Sequence, residues 1–243
     1  MKENLLMNSI LTIYKKELKS FFTSPMAYIF LVVFALVCGY FFTNTFFLYN
    51  QSDMRSLFGI IPLVYLFFIP AVSMGLISQE KSLGTIEIIT TLPIRGRDIV
   101  LGKYLAALTL ILIALSITLI HYITLIQVGT TIDHGAVFTG YLGLALLGGV
   151  YTAVGIFASS ITENQVIAFI VGIAIVLTFF LMDKLLIFVP SGLAGIVQYM
   201  STEFHLSNIS RGVIDTRNLI YFGSIIGFFL FMTTRILESR KWS

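Results

Sequence analysis

Long apolar blocks alternate with short polar connections along the whole chain. A hydrocarbon core of about 30 Å takes roughly 20 residues of helix. Six stretches supply that length with few charges inside: Met26–Leu48, Leu57–Ser78, Tyr104–Gln127, Val137–Ser159, Gln165–Met182 and Leu219–Arg235. The pattern predicts an all-α polytopic membrane protein with six transmembrane helices, built as a single membrane domain over residues 1–243. The remainder leaves no room for a soluble domain.

Two segments outside the spans carry their own pattern. In Ser9–Ser24, Leu11, Tyr14, Leu18, Phe21 and Phe22 recur at helical spacing, with Lys15, Lys16 and Lys19 mainly on the other side. That predicts an N-terminal amphipathic helix lying in the interface. Two roles stay open for it: an anchor whose lysines reach lipid headgroups, or a docking surface for a cytosolic partner. Before the sixth span, Lys184–Asn218 is too long for a simple turn and only partly polar. Non-helical backbone at membrane depth must be covered by protein or water. The segment therefore reads as short re-entrant or interfacial helices broken near Pro190, Ser191 and Gly192. It serves either as a plain amphipathic cap or as an outer gate.

Composition agrees with a membrane setting: 57% of the 243 residues are hydrophobic and only 11% charged, against about a quarter charged in soluble domains. The net charge of +3 is too weak to suggest nucleic-acid binding, so position matters more than total. Lys2, Lys15, Lys16 and Lys19, then Lys81, Arg95, Arg97 and Lys103, then Arg235, Arg240 and Lys241 fall on one side of a six-span chain. Positive loops stay in the cytoplasm, so both termini are expected there. The basic N-terminus lacks a small-residue cleavage pattern and reads as retained. Cys38, the single cysteine, excludes an intrachain disulfide and a thiolate metal cluster.

Candidate chemistry is sparse. A phosphate-binding loop needs two glycines bracketing four residues, then Lys-Ser/Thr. The nearest approach is Gly102-Lys103, with Arg97 in place of the first glycine and Tyr104 in place of the hydroxyl. His121, His134 and His205 lack ligand partners at i,i+4 spacing, so no metal site is expected; His121 is the one expected to be buried. No Asp, Glu, Lys or Arg lies near the middle of a span, which argues against proton coupling. Pro62 and Pro70, both in the second span, are candidate gating kinks or static ones. Glycines at 140, 143, 148, 149 and 155 of the fourth span suit close helix approach.

The densest signal is QEKSLGTIEIITTLPIRGRDIVLGK over residues 79–103. It reads as two helices: Leu83, Ile86 and Ile89 form an apolar stripe, Glu80, Lys81 and Glu87 stay exposed, Pro93 interrupts, and Asp98 caps the second helix. The string E-K-x-x-G-T-I-E-x-x-x-T-x-P-I, followed by G-K, resembles the signature of ABC type-2 transporter permeases. Glu80, Lys81, Gly84, Thr85, Glu87, Thr91, Pro93, Gly102 and Lys103 match it. Lys16, Glu17, Ser24 and Pro25 match the family's N-terminal KE and SP element. YTAVGIFASSITENQVIAF and the basic end ESRKW look like the gliding-motility and Nos-type subgroup.

The resemblance implies a permease subunit, expected as an exporter, with no catalysis of its own. Two such chains, identical or homologous, pair in a bacterial cytoplasmic membrane. Each sits on a separate cytosolic ABC ATPase, which holds ATP and magnesium; this chain binds no cofactor, and an auxiliary extracytoplasmic subunit can join. Glu80, Lys81, Gly84, Thr85, Glu87, Thr91 and Pro93, with Arg95 beside them, then form a coupling helix inserted into the ATPase. Lys15, Lys16, Glu17 and Lys19 of the amphipathic helix support it. A non-transporting membrane component of an ATPase-driven machine, such as a gliding or secretion apparatus, would carry the same coupling parts.

Overall fold

The computed structural model describes residues 2–48, 53–86, 94–129 and 132–239. Among them the chain is helical, with no strand. In chain order the helices are α1 (Lys2–Thr23), α2 (Pro25–Thr43, prolonged by a π turn, Asn44–Leu48), α3 (Arg55–Ser73) and α4 (Gly75–Ser82). Then follow α5 (Gly96–Ile117), α6 (Leu119–Val128), α7 (His134–Ile161), α8 (Gln165–Leu181), α9 (Ser191–Met200), α10 (Thr202–Ile209) and α11 (Thr216–Ser239).

Among the described residues five helical stretches are long and apolar enough to cross a bilayer: Pro25–Phe47, Arg55–Ser82, Gly96–Val128, His134–Ile161 and Thr216–Ser239. The expected fifth span appears as α8, apolar apart from Gln165 and Thr178 but only 17 residues long. At 1.5 Å per residue that is about 25 Å, short of the hydrocarbon thickness. The third stretch reaches further into the polar connection than its apolar block alone suggests, because it starts at Gly96. Arg95, not Asp98, stands at its N-cap; Asp98 lies inside the first turn, buried. Asp98 takes that place because an acid in a first turn meets the positive end of the helix dipole.

Helix α7 is the central element, and its glycines explain how. Lipid offers no hydrophobic drive for helix association, so close packing must supply it. A Cβ on Gly140 would overlap the Phe58 ring of α3, and one on Gly155 would overlap the Ser73 hydroxyl. Cβ atoms on Gly143, Gly148 and Gly149 would come within 2.8 Å of Leu206, 3.0 Å of Ile111 and 2.9 Å of the Tyr104 hydroxyl. Five glycines thus let α3, α5 and α10 lie directly on one helix. The cluster expected to serve close approach does so.

Neither proline of α3 ends the helix, although both are buried in it. The interruption falls at Met74, whose amide donates to the Pro70 carbonyl at 2.8 Å. Beyond it the first amides of α4 have no carbonyl in their own helix to bond. Ser159 of α7 takes that role: its Oγ accepts from Ile77 N at 3.0 Å and Ser78 N at 2.9 Å. The same hydroxyl donates to Met74 O at 2.6 Å. A side chain from another helix therefore caps the break.

Between α8 and α11 the chain forms a 3-10 turn (Lys184–Phe188) and the short helices α9 and α10, with Val189–Pro190 and Ser201 at the joints. Here a histidine expectation is corrected. His205 is 1% exposed, whereas His121 is only half-buried. His205 stacks on Tyr221 at 3.8 Å, and its ring nitrogens lie 2.7 Å from Asn218 Oδ1 and 2.8 Å from Tyr199 O. Partners on α9 and α11 let a polar ring sit in the interior.

Candidate functional site

Helices α1, α4 and α5 meet at one end of the bundle, and each brings a charged residue to the meeting point. Helix α1 can approach α5 because Gly102 has no side chain: a Cβ there would lie 2.8 Å from Ile13 Cβ and 3.1 Å from Ile10 O. One residue on, Lys103 points into the contact with its side chain 2% exposed. Its ammonium lies 3.0 Å from Glu17 Oε1 of α1 and 2.9 Å from Glu80 Oε1 of α4. Lys16 closes the set from outside, 3.3 Å from Glu17 and 3.2 Å from Glu80.

Two ammonium groups thus face two carboxylates, and the cluster is neutral. Neutrality matters because an unmatched charge in such a place is costly. Partial burial pulls the Lys16 ammonium down, but Glu17 and Glu80 outweigh it and hold its pKa above the ordinary lysine value. The outer pair contributes little by itself, because the Lys16 side chain is 62% exposed. The inner bridge through Lys103 fixes how the three helices meet. Glu80 keeps one oxygen, Oε2, buried with no hydrogen-bond partner among the described residues. Beside it opens a cleft of about 430 Å³ lined by Glu17, Ser20, Gln79, Glu80, Leu83 and Thr85, among others.

The signature residues have separate physical tasks. Lys81 was expected to be exposed with Glu80, and both are corrected. Lys81 is buried and donates to the Ser160 carbonyl at the end of α7; Glu80 has 14% of its side chain exposed. Both turn inward because α4 is flanked by α7 and by the α1–α5 contact, and each finds an opposite or accepting group there. Gly84, at φ +68°, ends α4 in the left-handed conformation that side chains resist. Its amide donates to Lys81 O at 3.1 Å. Thr85 Oγ1 then donates to Glu80 O at 3.2 Å, satisfying a terminal carbonyl. Leu83 is 67% exposed and Ile86 buried, so the expected apolar stripe does not share one face.

Glu87, Ile89, Thr91 and Pro93, which carry the rest of the coupling expectation, lie outside the described residues. Arg95 stands apart from the charge cluster as the N-cap of α5. Of the amphipathic-helix residues, Glu17 is buried while Lys15, Lys16 and Lys19 are exposed. Lys103, in sequence a cytoplasmic basic residue and a motif match, is the center of the cluster. Among the described residues no three His, Cys, Asp or Glu side chains converge on a metal-binding point.

These features define a multi-pass helical membrane protein whose polar machinery sits at one end, outside the apolar interior. The family model described as ABC-2 family transporter protein matches residues 11–233. The chain belongs to that family, the ABC type-2 permeases, whose members are non-catalytic membrane subunits. Membership implies an ATPase partner and a surrounding bilayer. A search of curated proteins gives no match.

Proposed function

We propose that the chain is the membrane subunit of an ATP-driven exporter, dimeric with an identical or homologous permease, each copy seated on a cytosolic ATPase. ATP and magnesium bind on that partner. Both termini face the cytoplasm, in a bacterial inner membrane. The resemblance of residues 151–169 and of the C-terminal ESRKW supports placing it in the gliding-motility and Nos-type subgroup.

One observation carries the reading. Three signature elements, KE at residues 16–17, EK at 80–81 and GK at 102–103, converge on a single charge cluster beside a cleft. A merely solvated loop has no use for a buried bridge to two other helices. In this mechanism the ATPase docks at the exposed end of α4, and a donor from it completes Glu80 Oε2. Closure of the ATPase dimer tilts α4 about Met74, and Ser159 and Ser160 pass the tilt to α7. ATP biases the arrangement only through contacts that differ between states.

The test is co-purification with the cognate ABC ATPase, comparing the native chain with Leu83→Arg. Leu83 is exposed and bridges no helix, so the variant should insert and melt normally yet lose the ATPase. Undiminished association and ATP hydrolysis would overturn the coupling assignment. ATP-dependent uptake into inverted vesicles by the intact complex then separates transport from purely mechanical work.

A further inference from the structure

The first turns of α5 and the last turns of α11 enclose a groove of about 430 Å³ that the coupling reading does not use. Its walls are apolar: Val100, Leu101, Leu230 and Phe231. Its rim is basic, with Arg97 from one helix and Arg235 from the other. Both guanidinium groups are held in place. Arg235 Cζ sits 5.0 Å from the Phe231 ring center, and Arg97 Nε lies 3.6 Å from the buried carboxylate of Asp98. Glu238 is the one acid on the lining, and its Cγ lies 3.0 Å from where a Gly96 Cβ would be. It therefore sits against the start of α5.

We propose that this groove holds one anionic phospholipid, its phosphate between Arg97 and Arg235 and an acyl chain along Leu101, Leu230 and Phe231. The chemistry favors a lipid over a free phosphate. Two arginines match phosphate oxygens in pairs, but an apolar wall below them contributes only if the anion carries a hydrocarbon tail. The position agrees: the groove lies at the end of two membrane-crossing helices, where a headgroup meets the hydrocarbon edge. Basic pockets between transmembrane helices at that level suit anionic headgroups. The inference rests on the membrane setting alone and not on the ATPase docking.

The test uses the full chain without any ATPase, so its failure and that of the coupling reading are separable. Native mass spectrometry from mixed micelles of equal phosphatidylglycerol and phosphatidylcholine should show phosphatidylglycerol retained in preference. The double variant Arg97→Gln/Arg235→Gln should lower that preference about thirtyfold, while Arg217→Gln, a basic residue in the first turn of α11 at its opposite end, leaves it unchanged. Glu238→Gln should raise retention, a gain that misfolding cannot mimic. Millimolar inorganic phosphate should not displace the lipid. Equal retention of both lipids by the native chain, or unchanged retention in the double variant and in Glu238→Gln, would overturn the assignment, as would displacement by free phosphate.

Discussion

The bridge through Lys103 makes a quantitative claim. Lys103→Met removes the cation shared by Glu17 and Glu80, leaving two carboxylates and Lys16. The site goes from neutral to a net charge of −1, with the carboxylate side chains only 11% and 14% exposed. Breaking a buried pair by removing one partner costs about 3–5 kcal/mol. For a chain of this size each kcal/mol shifts the melting midpoint by about 2–4 °C. Lys103→Met should therefore lower the midpoint by roughly 6–20 °C on those two scales. Adding Glu17→Met restores neutrality, since Lys16 and Glu80 remain as a pair. The double variant should recover most of the loss, because replacing a buried ion pair by apolar groups is often neutral. Cys38 supplies the assay: it is the single cysteine and is 0% exposed, so a fluorogenic maleimide reports unfolding in detergent. A double variant that melts as low as the summed single losses predict would refute the electrostatic coupling.

Four further outcomes follow from the same geometry. Ser159→Ala strips the cap from the Ile77 and Ser78 amides; it should cost about 1–3 kcal/mol and speed hydrogen exchange at those two amides above all. Gly155→Ala drives a methyl into Ser73 and should cost about 1–3 kcal/mol, whereas Gly227→Ala, with nothing within 4 Å, should be neutral or better in the same melting assay. Gly84→Ala forces a side chain into the left-handed region and should cost about 1–2 kcal/mol. Burial holds the Glu203 carboxyl above its ordinary value, with Lys184 opposing and Asp183 adding. The native state then binds that proton more tightly than the unfolded chain does. The contribution is full below the ordinary glutamate value and is lost as pH rises through the raised one. Glu203→Gln should flatten stability over that window, and an unchanged slope would assign it elsewhere.

Five of the six expected spans were legible because lipid imposes length and composition on any crossing helix. Only α8 strained the rule, being apolar enough but short. Helix packing was partly legible: the glycines at 140–155 announced close approach, yet nothing in the sequence named Phe58 or Ser73 as what approaches. The site was legible residue by residue through its resemblance, and not as an arrangement. Glu17 and Lys103 are 86 residues apart, and Lys16 and Glu80 are 64 apart, so no local spacing connects them. Reading Glu80 and Lys81 as solvated followed from placing both helices of residues 79–103 in the cytoplasm, outside the bundle, when α4 continues from α3 and packs against α7 and α1. The usable signal was charge accounting. Lys103 sits seven residues inside α5 with no acid at i±3 or i±4. Such a lysine needs a carboxylate from another element, and the family-matched KE and EK elements each supply one. The same accounting applied to His205 fails, because an imidazole finds partners among the carbonyls and amides that every segment offers. Buried charges restrict their partners to a few residue types and so can be traced from sequence; buried neutral polar groups cannot.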